Sequence, residues 1–533
     1  MTAEDGVAPV AADGVAAVAA DRIAPGAADR VAPGALDRTT PVAVVGTGTM
    51  GRGIAQVALA AGHQVWLYDA AEGRAKTAAD AIAVRIDRMV EKGKLPAGDY
   101  AARLLPAASL SELADCGLVI EAIAEQLHVK QGLFAELENI VSVDCLLATN
   151  TSSLSVTEIA GSLSRPGRFV GLHFFNPAPL LPLVEVVSGF ATDEAAAACA
   201  YETAKAWGKT PVRSADTPGF IVNRIARPFY AEAFRLYEER VADPATIDAV
   251  LRECGGFKMG PFELTDLIGQ DVNEAVTRSV WQAFFQDPKF TPSLAQQRLV
   301  QSGRLGQKSG QGWFSYGEGA QRPEPATEPP ADAPDRITVH GDLGPAKALV
   351  KLAQEAGIEV GFEDDAEPYI ELRGGGQLFP TDGLPAGAYE GEDFLVFDWS
   401  FDYAAATRIA LAAGPRTGQK ARAEAAGLFQ AMGKKVTYIP DVPGMIVART
   451  IAMLVDLAAD AVAREVASQE DADTAMRLGV NYPVRLLDWA AEAGELTVAC
   501  VLRNLHEYHP TGRYGPTPGL LGRIDPLEYR DLR

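Results

Sequence analysis

Two polar side chains stand alone in apolar surroundings in the first half of the chain. His173 lies in GLHFFNP at the end of a predicted strand, and Glu185 is the only charged residue of LLPLVEVV. A neutral imidazole can accept a proton as a hydride leaves the same carbon. A buried carboxylate needs a partner, and an imidazolium is a suitable one. The pair predicts general-base chemistry; the alternative is a backbone-bonded core histidine and a solvent-facing glutamate.

A glycine-rich turn supplies a site for a second reactant. The apolar strand VAVV runs into Gly46, Gly48 and Gly51, and a helical run and the strand VWLY then lead to Asp69. The first glycine permits a sharp turn, the second a close approach to a pyrophosphate, and the third close packing of helix on strand. A carboxylate at the second strand end can accept both ribose hydroxyls of an adenosine. The pattern predicts a bound dinucleotide rather than an ordinary glycine turn.

Two further groups of polar residues are candidates for the same site. Residues 150–153 (NTSS) directly follow the strand CLLAT, where they could contact a ligand or cap the next helix. Asn223 interrupts an apolar helix face after Pro218 and Gly219, which suggests a substrate-facing wall. A solvent-facing asparagine is an equally good interpretation of that spacing.

A basic helix face is the candidate for binding phosphate. Arg85, Arg88 and Lys92 recur at helical spacing and therefore share one face. In a chain this acidic, such a face is suited to a phosphate-bearing substrate. The alternative is a solvated face, because Asp87 and Glu91 alternate with the basic residues.

The bulk properties exclude several classes of partner. The 533 residues carry a formal charge of −22 and a pI near 4.8, which argues against nucleic acid and anionic membranes. The five cysteines are scattered without a CxxC pair, which favours the reduced thiols of a cytoplasmic protein over disulfides or a zinc site. No apolar run reaches membrane-spanning length, and the N-terminus lacks the pattern of a signal peptide. We expect no metal.

The order of predicted elements gives the fold class. We expect an α/β Rossmann-like domain followed by an all-α domain, duplicated in degenerate form. The predicted segments are a disordered low-complexity leader (1–39), a dinucleotide-binding Rossmann-like domain with a helical hairpin (40–211), a first helical domain (212–316), a linker (317–335), a degenerate Rossmann-like domain (336–439) and a second helical domain (440–533).

The predicted duplication is visible as repeated segments of the amino-acid sequence. Residues 337–364 align with residues 42–69, but Leu343 and Ala346 stand where the second and third glycines of the loop should be. DVPGMIVAR repeats DTPGFIVNR, with Ala448 in the position of Asn223. The second half is therefore predicted to bind no dinucleotide and to do no chemistry. Its apolar helices are predicted to pack on the first helical domain as an internal pseudo-dimer.

The motifs of residues 42–316 resemble, in order and spacing, those of the 3-hydroxyacyl-CoA dehydrogenase family. The segments that carry the resemblance are GTGTMG, EAIAE, NTSSL, GLHFFNP, LVEVV, DTPGFIVNR, MGPFELTD and GQKSGQGWF. The resemblance implies a Rossmann-like domain followed by a helical domain. It also implies the reversible oxidation of an L-3-hydroxyacyl-CoA to the 3-ketoacyl-CoA with NAD.

The family's site residues carry over position by position. The resemblance places the catalytic His on His173, its paired Glu on Glu185, the substrate-contacting Ser on Ser152 and the helical-domain Asn on Asn223. The positions implied to contact NAD, besides the three loop glycines, are Asp69, Glu125, Lys130, Asn150, Asn176 and Lys308. The CoA-binding lysine of the hairpin maps less surely onto Lys92, because this hairpin is shorter than in many members.

The plan of the whole chain resembles a narrower group. A catalytic unit followed by a degenerate second copy is similar to the long bacterial members that act on 3-hydroxyadipyl-CoA in phenylacetate catabolism. A 3-hydroxybutyryl-CoA dehydrogenase, a 2-hydroxyacid or sugar-acid dehydrogenase, and a non-catalytic nucleotide-binding sensor or scaffold remain as alternatives. The sequence leaves acyl chain length open, as well as association into a homo-oligomer.

Overall fold

The computed structural model describes residues 34–364 and 367–527. Eight strands form the first sheet, in the order β3-β2-β1-β4-β5-β6-β7-β8. The strands are β1 (Val42–Val45), β2 (Val65–Tyr68), β3 (Leu104–Pro106), β4 (Leu118–Glu121), β5 (Leu146–Thr149), β6 (Phe169–Phe174), β7 (Leu183–Ser188) and β8 (Thr210–Ala215). The helices are α1 (Thr49–Ala61), α2 (Arg74–Glu91), α3 (Leu127–Ile140), α4 (Val156–Ala160) and α5 (Glu194–Ala206).

The first sheet is parallel from β3 to β6, and β7 then runs antiparallel to β6. All four residues of β1, β4 and β5 are buried, because helices cover both faces of the sheet. Separate hydrophobic clusters lie on its two faces. The carboxyl ends of β1, β4, β5 and β6 therefore meet at one edge, where ligands of open α/β sheets bind.

The predicted helical hairpin between Asp69 and Gly117 is wrong in its second arm. Only α2 forms, and the chain returns through an irregular segment, two short 3-10 turns and the edge strand β3. Gly93, Pro96 and Gly98 interrupt helical hydrogen bonding, and LLP completes the sheet by pairing with β2. Local helical propensity predicts a second helix there, but pairing with the free edge of β2 favours a strand.

A group of helices follows the first sheet. They are α6 (Val222–Ile225), α7 (Arg227–Glu238), α8 (Pro244–Glu253), α9 (Pro261–Ile268), α10 (Gln270–Ala283) and α11 (Leu294–Gln301). Pro228 in the first turn of α7 separates it from α6, since proline cannot donate the hydrogen bond that would continue a helix. Within the described residues, no helix is both long enough and apolar enough to cross a membrane.

A second, mixed sheet of seven strands lies in the second half, in the order β10-β9-β11-β12-β13-β14-β15. Its elements are β9 (Arg336–His340), α12 (Ala348–Glu355), β10 (Glu359–Glu363), β11 (Tyr369–Leu372), β12 (Gln377–Pro380), β13 (Phe394–Phe397), β14 (Arg408–Ala413), α13 (Gln419–Ala431) and β15 (Lys435–Tyr438). β11 runs antiparallel to β9 and β12. The connection from β10 to β11 is too short for the crossover helix that a parallel strand would need.

The last helices pack against the first helical group. They are α14 (Val447–Ala463), α15 (Gln469–Gly479), α16 (Leu486–Ala493), α17 (Glu495–Tyr508) and α18 (Pro518–Leu521). α14 is buried along nearly its whole length and contacts both α6 and α7. A single hydrophobic cluster contains buried side chains from both halves of the chain, the first being Leu183 and the last Ile524. The second half therefore shares its core with the first helical group.

The segment predicted as a linker, 317–335, is extended but fixed to both halves. The backbone N–H of Ala326 donates to Thr246 Oγ1 (2.9 Å) in the first half, and that of Glu328 donates to the carbonyl of Val436 (2.8 Å) in the second. Arg408 donates from its guanidinium to the carbonyl of Ala326. The segment is thus a strap laid across the junction of the two halves.

The leader is predicted to be disordered through residue 39, but its last six residues are ordered in the structure. Residues 1–33 lie outside the described residues, but residues 34–39 contact the first sheet domain. The backbone N–H of Leu36 donates to Thr203 Oγ1 (3.0 Å), and its side chain packs against the core of the sheet. Leu36 is the first leucine of the chain, and it gives the leader a large aliphatic side chain close to the domain boundary.

Two N-terminal truncations should therefore behave differently. Deleting residues 1–33 should leave the melting temperature and turnover unchanged, because the composition of that segment provides little to bury. Deleting residues 1–39 should lower the melting temperature by a few degrees, since it uncovers the surface beneath Leu36, worth about 1 to 2 kcal/mol. Calorimetry of both truncations checks this, and identical melting curves would contradict the contact.

Candidate active site

His173 and Glu185 face each other across the antiparallel pair β6 and β7. His173 Nδ1 lies 2.6 Å from Glu185 Oε2, and both side chains are buried. The second carboxylate oxygen accepts from the backbone N–H groups of Ile221 (3.1 Å) and Val222 (2.9 Å), at the start of α6. Glu185 thus orients the imidazole and ties it to the first helical group. Since Nδ1 is engaged, Nε2 is the ring atom left to exchange a proton with a ligand.

The two polar candidates from other elements lie together beside this pair. Asn223 donates from Nδ2 to the backbone carbonyl of Ser152 at 3.4 Å. Its Oδ1 accepts from the guanidinium of Arg227 (3.2 Å), which also donates to Thr277 Oγ1. The alternative that Asn223 faces solvent is therefore wrong, because both ends of its amide are bound within the protein. Arg227, which fixes the amide, was missed by the sequence analysis although it lies one helical turn further on.

The glycine loop borders a cavity of about 550 Å³ at the ends of β1, β2 and β4. Gly46 has a φ of +98°, and a Cβ there would lie 2.5 Å from the carbonyl oxygen of Ala122. A Cβ on Gly51 would lie 1.8 Å from the carbonyl oxygen of Gly46. Gly48 has no neighbour within 4 Å of such a Cβ, so its open side is available to a pyrophosphate. The residues present fit a dinucleotide.

Asp69 is held in the same cavity by the glycine loop. Its Oδ2 accepts from the Thr47 backbone N–H (3.0 Å) and hydroxyl (2.6 Å), and its Oδ1 accepts from the Ala71 N–H (3.0 Å). Burial opposes ionisation, but these hydrogen bonds outweigh it and lower the pKa of Asp69. The carboxylate is therefore anionic at neutral pH and borders the cavity together with Arg74.

Asp69 should make the chain select NAD over NADP. A 2′-phosphate would meet a carboxylate, and a like-charge contact of that kind costs several kcal/mol, so kcat/KM should favour NAD by roughly 100-fold or more. Asp69→Ser should reduce the ratio, while Asp80→Asn, a change of an exposed carboxylate on α2, should leave it unaltered. Steady-state kinetics with both cofactors measure this. Equal efficiency of the parent chain with both would show that Asp69 does not face the ribose.

A chain of charged side chains supports the loop that carries Ser152. Glu125 accepts from the hydroxyl of Thr151 (2.6 Å) and the backbone N–H of Ser152 (3.0 Å). Lys130 lies 3.2 Å from Glu125 and 2.5 Å from Glu121; Lys130 and Glu121 are buried, whereas Glu125 is partly exposed. Burial opposes the ionised form of Glu125, but Lys130 and the loop donors lower its pKa.

Glu121 was missed by the sequence analysis. It is the only charged residue in the buried strand β4, the same signal that singled out Glu185. Besides Lys130, it accepts from the Ile123 backbone N–H (2.7 Å) and the Thr149 hydroxyl (2.7 Å). Lys130 therefore belongs to an ion-pair network with two carboxylates. The contact between Lys130 and NAD stays a prediction.

Removing the charge of Glu121 should misplace the loop without touching a reactant. In Glu121→Gln, Lys130 loses one of its two counter-charges. Glu125, which holds Thr151 and Ser152, then shifts. A displacement of about 1 Å at a reacting centre costs on the order of 100-fold in kcat/KM. Kinetics measured beside melting curves separate this from general destabilisation, with Glu202→Gln on α5 as control. Unchanged kcat/KM in a folded Glu121→Gln variant would contradict the positioning role.

The remaining predicted site residues are more scattered. Asn150 lies at the end of β5, where its Oδ1 accepts from the Phe174 backbone N–H (2.9 Å), next to the histidine strand. Asn176 is exposed just beyond β6. Lys308 lies in the helical region and pairs with Asp271 at 2.5 Å. Lys92 is exposed at the end of α2, together with Arg85 and Arg88. The roles predicted for these residues stay predictions.

Known protein families match most of this architecture. Residues 41–217 match the 3-hydroxyacyl-CoA dehydrogenase NAD binding domain, and residues 219–316 and 444–525 match the C-terminal domain of the same family. Residues 378–443 match the 3-hydroxybutyryl-CoA dehydrogenase reduced Rossmann-fold domain. This third match lies within the mixed second sheet and the segment that follows it.

Individual relatives agree with the family matches. The chain is 44% identical to 3-hydroxyadipyl-CoA dehydrogenase of Escherichia coli over 89% of its length and 95% of that relative. It is 40% identical to a probable 3-hydroxybutyryl-CoA dehydrogenase of Deinococcus radiodurans over 51% of its length and 99% of that protein. A crystal structure of 3-hydroxybutyryl-CoA dehydrogenase from Escherichia coli covers 93% of the chain and is itself covered in full, with 42% identity and a TM-score of 0.83. The chain belongs to the 3-hydroxyacyl-CoA dehydrogenase family.

Proposed function

We propose that the chain oxidises the C3 hydroxyl of an L-3-hydroxyacyl-CoA to the ketone, with His173 as the general base. The 2.6 Å contact between His173 and Glu185, at the carboxyl edge of the first sheet, carries the proposal. NAD supplies the hydride acceptor. The hydroxyl gives its proton to Nε2 of His173 as C3 gives up its hydride, so the alcohol loses two hydrogens and becomes a carbonyl.

The other residues of the site stabilise the charge that forms on His173 and position the reacting carbon. Glu185 stabilises the imidazolium that forms, and because it also accepts from the start of α6 it holds the helical wall at a fixed distance from the base. Ser152 and Asn223, which contact each other, position the oxygen of the reacting carbon. Fixing the reactants in this way contributes several kcal/mol to catalysis.

A non-catalytic sensor would have no need for this arrangement. The base, its carboxylate partner and the two polar residues come from β6, β7, the loop after β5 and α6, and the structure brings them together. A binding protein that had lost turnover would be free to lose these contacts. The assembled set therefore supports an active enzyme over a scaffold.

We further propose 3-hydroxyadipyl-CoA as the substrate. The support is the relative of that name, which matches the chain over both halves. The competing assignment is 3-hydroxybutyryl-CoA, because a relative of that name matches the catalytic half and a solved structure of that name matches the whole chain. A pathway of phenylacetate degradation would follow from the first assignment alone. The free thiols of the chain suit the cytoplasm, where we place it.

A panel of three 3-ketoacyl-CoA thioesters with NADH tests both assignments. The acyl groups are ketoadipyl, ketohexanoyl and acetoacetyl, so that the first two have the same chain length and differ in the terminal carboxylate. We expect kcat/KM for ketoadipyl to exceed that for ketohexanoyl at least tenfold, equivalent to about 1.4 kcal/mol. A preference for acetoacetyl would support the short-chain assignment. Turnover of free 2-keto acids in place of all three would contradict the proposed function.

We also propose that the helical domain is duplicated and that its copies form an internal pseudo-dimer. Backbone positions with positive φ recur at a constant spacing of 225 residues: Phe220 with Met445, Arg240 with Glu465, and Gly269 with Gly494. The C-terminal domain of the family matches both regions.

The contacts between the two copies are also nearly reciprocal. Arg224, at the start of the first copy, pairs with Asp460 on α14 at 2.7 Å. Its counterpart Arg449 pairs with Glu239 at the end of α7, also at 2.7 Å. Such reciprocity is characteristic of a two-fold interface. We propose domain limits at 40–211, 212–316, 336–439 and 440–533, with the strap between the second and third.

A further inference from the structure

The second half keeps the position of the active site but not its residues. In the first half, His173 is paired across the sheet with Glu185, and Glu185 with Val212. In the second half, Asp398 donates its N–H to the carbonyl of Ala410 (3.0 Å), and Ala410 is paired with Thr437. Thr437 follows Val212 at the same spacing of 225 residues. Strand register therefore places Asp398 at the position of the histidine and alanine at that of the glutamate.

Asp398 does not replace the lost base. Its carboxylate accepts from the backbone N–H groups of Ile446 (3.0 Å), Val447 (2.7 Å) and Ala448 (2.9 Å), and it is fully buried. It thus caps the start of α14, as Glu185 does for α6. This explains why the second half needs no glutamate at Ala410 to hold its helices on its sheet.

A cavity of about 300 Å³ remains open next to this position. It lies between the carboxyl ends of β9, β12 and β13 and the helices α16 and α17, and its wall is mostly apolar. Trp399, Tyr403 and Trp489 border it, and the two indole rings lie 5.8 Å apart. The polar atoms of two rings are already bound, since Trp399 Nε1 donates to the Thr381 carbonyl (2.8 Å) and the Tyr403 hydroxyl to the Asp398 carbonyl.

The charge of this cavity is opposite to what a nucleotide needs. Its charged lining residues are Asp342 at the rim and the half-buried Asp382, and no lysine, arginine or histidine borders it within the described chain. Asp342 follows β9, in the loop where Leu343 and Ala346 replace the second and third glycines, and Leu343 is buried beside it. By strand register Asp382 stands where Ser152 stands in the first half. Phosphate would meet only carboxylates here.

We propose that this cavity binds a small organic cation with an apolar body, such as an arylalkylamine, without reacting it. Tryptophan faces attract ammonium groups, because the ring quadrupole places negative charge on the face. Oδ1 of Asp382 accepts from the Leu384 N–H and the Tyr389 hydroxyl, and no hydrogen bond to its Oδ2 occurs among the described residues. That oxygen is the acceptor for the ammonium, while the apolar body of the ligand lies against the aromatic rings that border the cavity. The site is independent of the dehydrogenase chemistry of the first half.

Three probes that share one phenylpropyl body test the proposal on the full chain. They are 3-phenylpropylamine, 3-phenylpropan-1-ol and 3-phenylpropionate. Saturation-transfer NMR and calorimetry measure the binding of each probe. We expect the amine to bind most tightly, the alcohol more weakly and the carboxylate least. The amine should stay bound when NADH saturates the first half. Absence of amine binding at about 10 mM, where even millimolar affinity is visible, would overturn the proposal.

Variants locate the binding site. Asp342→Asn and Asp382→Asn should each weaken the amine roughly 3- to 10-fold, equivalent to about 0.7 to 1.4 kcal/mol, and leave the alcohol unchanged. Trp489→Leu should weaken both. Glu355→Gln, an exposed carboxylate on α12, is the control for overall charge. Asp342→Asn keeps the test decisive if Asp382→Asn disturbs folding. Displacement of the amine by NADH, or equal binding of amine and carboxylate, would overturn the assignment.

Discussion

His173→Gln should lower kcat by roughly 100- to 10,000-fold, the usual contribution of a positioned general base. Glutamine keeps a polar atom near the ring position and can still contact Glu185, but it cannot take up the hydroxyl proton. Binding of NADH should be unchanged, because the glycine loop and Asp69 lie at other strand ends. Steady-state reduction of acetoacetyl-CoA, together with a fluorescence titration of NADH, measures both quantities.

The control for this variant is His128→Gln. His128 is an exposed histidine on α3, so it matches the chemical change away from the proposed site. Its turnover should stay close to that of the parent chain. Near-parental turnover in His173→Gln would remove His173 from the mechanism, and a loss of NADH binding would mean that the substitution had disturbed the fold.

Glu232→Gln should destabilise the protein by about 3 to 5 kcal/mol, the cost of leaving a buried charge without its partner. Glu232 is fully buried on α7, where Oε2 accepts from Arg449 (2.8 Å) on α14 and Oε1 from Arg513. The Tyr514 hydroxyl donates to the same carboxylate at 2.8 Å. Chemical denaturation followed by tryptophan fluorescence measures the loss. Glu194→Gln breaks an exposed pair with Arg213 and should change the midpoint little.

The same cluster fixes a pH window. Burial alone would raise the pKa of Glu232, but Arg513 and Arg449 outweigh it and hold the pKa at about 2, against an ordinary value of 4.5. A depressed carboxyl pKa contributes stability above pH 4.5 and loses it as the pH falls toward 2. In that window the Glu232→Gln variant should lose less stability than the parent. Parallel pH profiles of the two proteins would contradict this assignment.

The sequence predicted the parts of the site whose chemistry is local. The glycine loop, Asp69 and the isolated pair His173 and Glu185 could be found because each is unusual among its own neighbours. Glu121 had the same signal, a single charge in an apolar strand, and was passed over. Arg227 could not be inferred, since its function depends on which amide it fixes, and that depends on tertiary contacts.

Long-range contacts account for the other differences between the predicted fold and the structure. The return from α2 adds an edge strand because β2 offers it a free edge, which no local propensity describes. The reversal of β11 follows from a connection too short for a crossover. The equivalence of Asp398 and His173 is hidden in the letters, because the two segments share no motif. The proposed equivalence rests on strand pairing together with the constant spacing of 225 residues.

The strap across residues 317–335 has a thermodynamic consequence. Two separate chains with this helical interface would dissociate on dilution, and their stability would depend on protein concentration. Here the partners belong to one chain, so each meets the other at an effective concentration on the order of millimolar at any dilution. The melting temperature should therefore not change with protein concentration. In the proposed duplication, one copy can change without the other, which a homodimer does not allow.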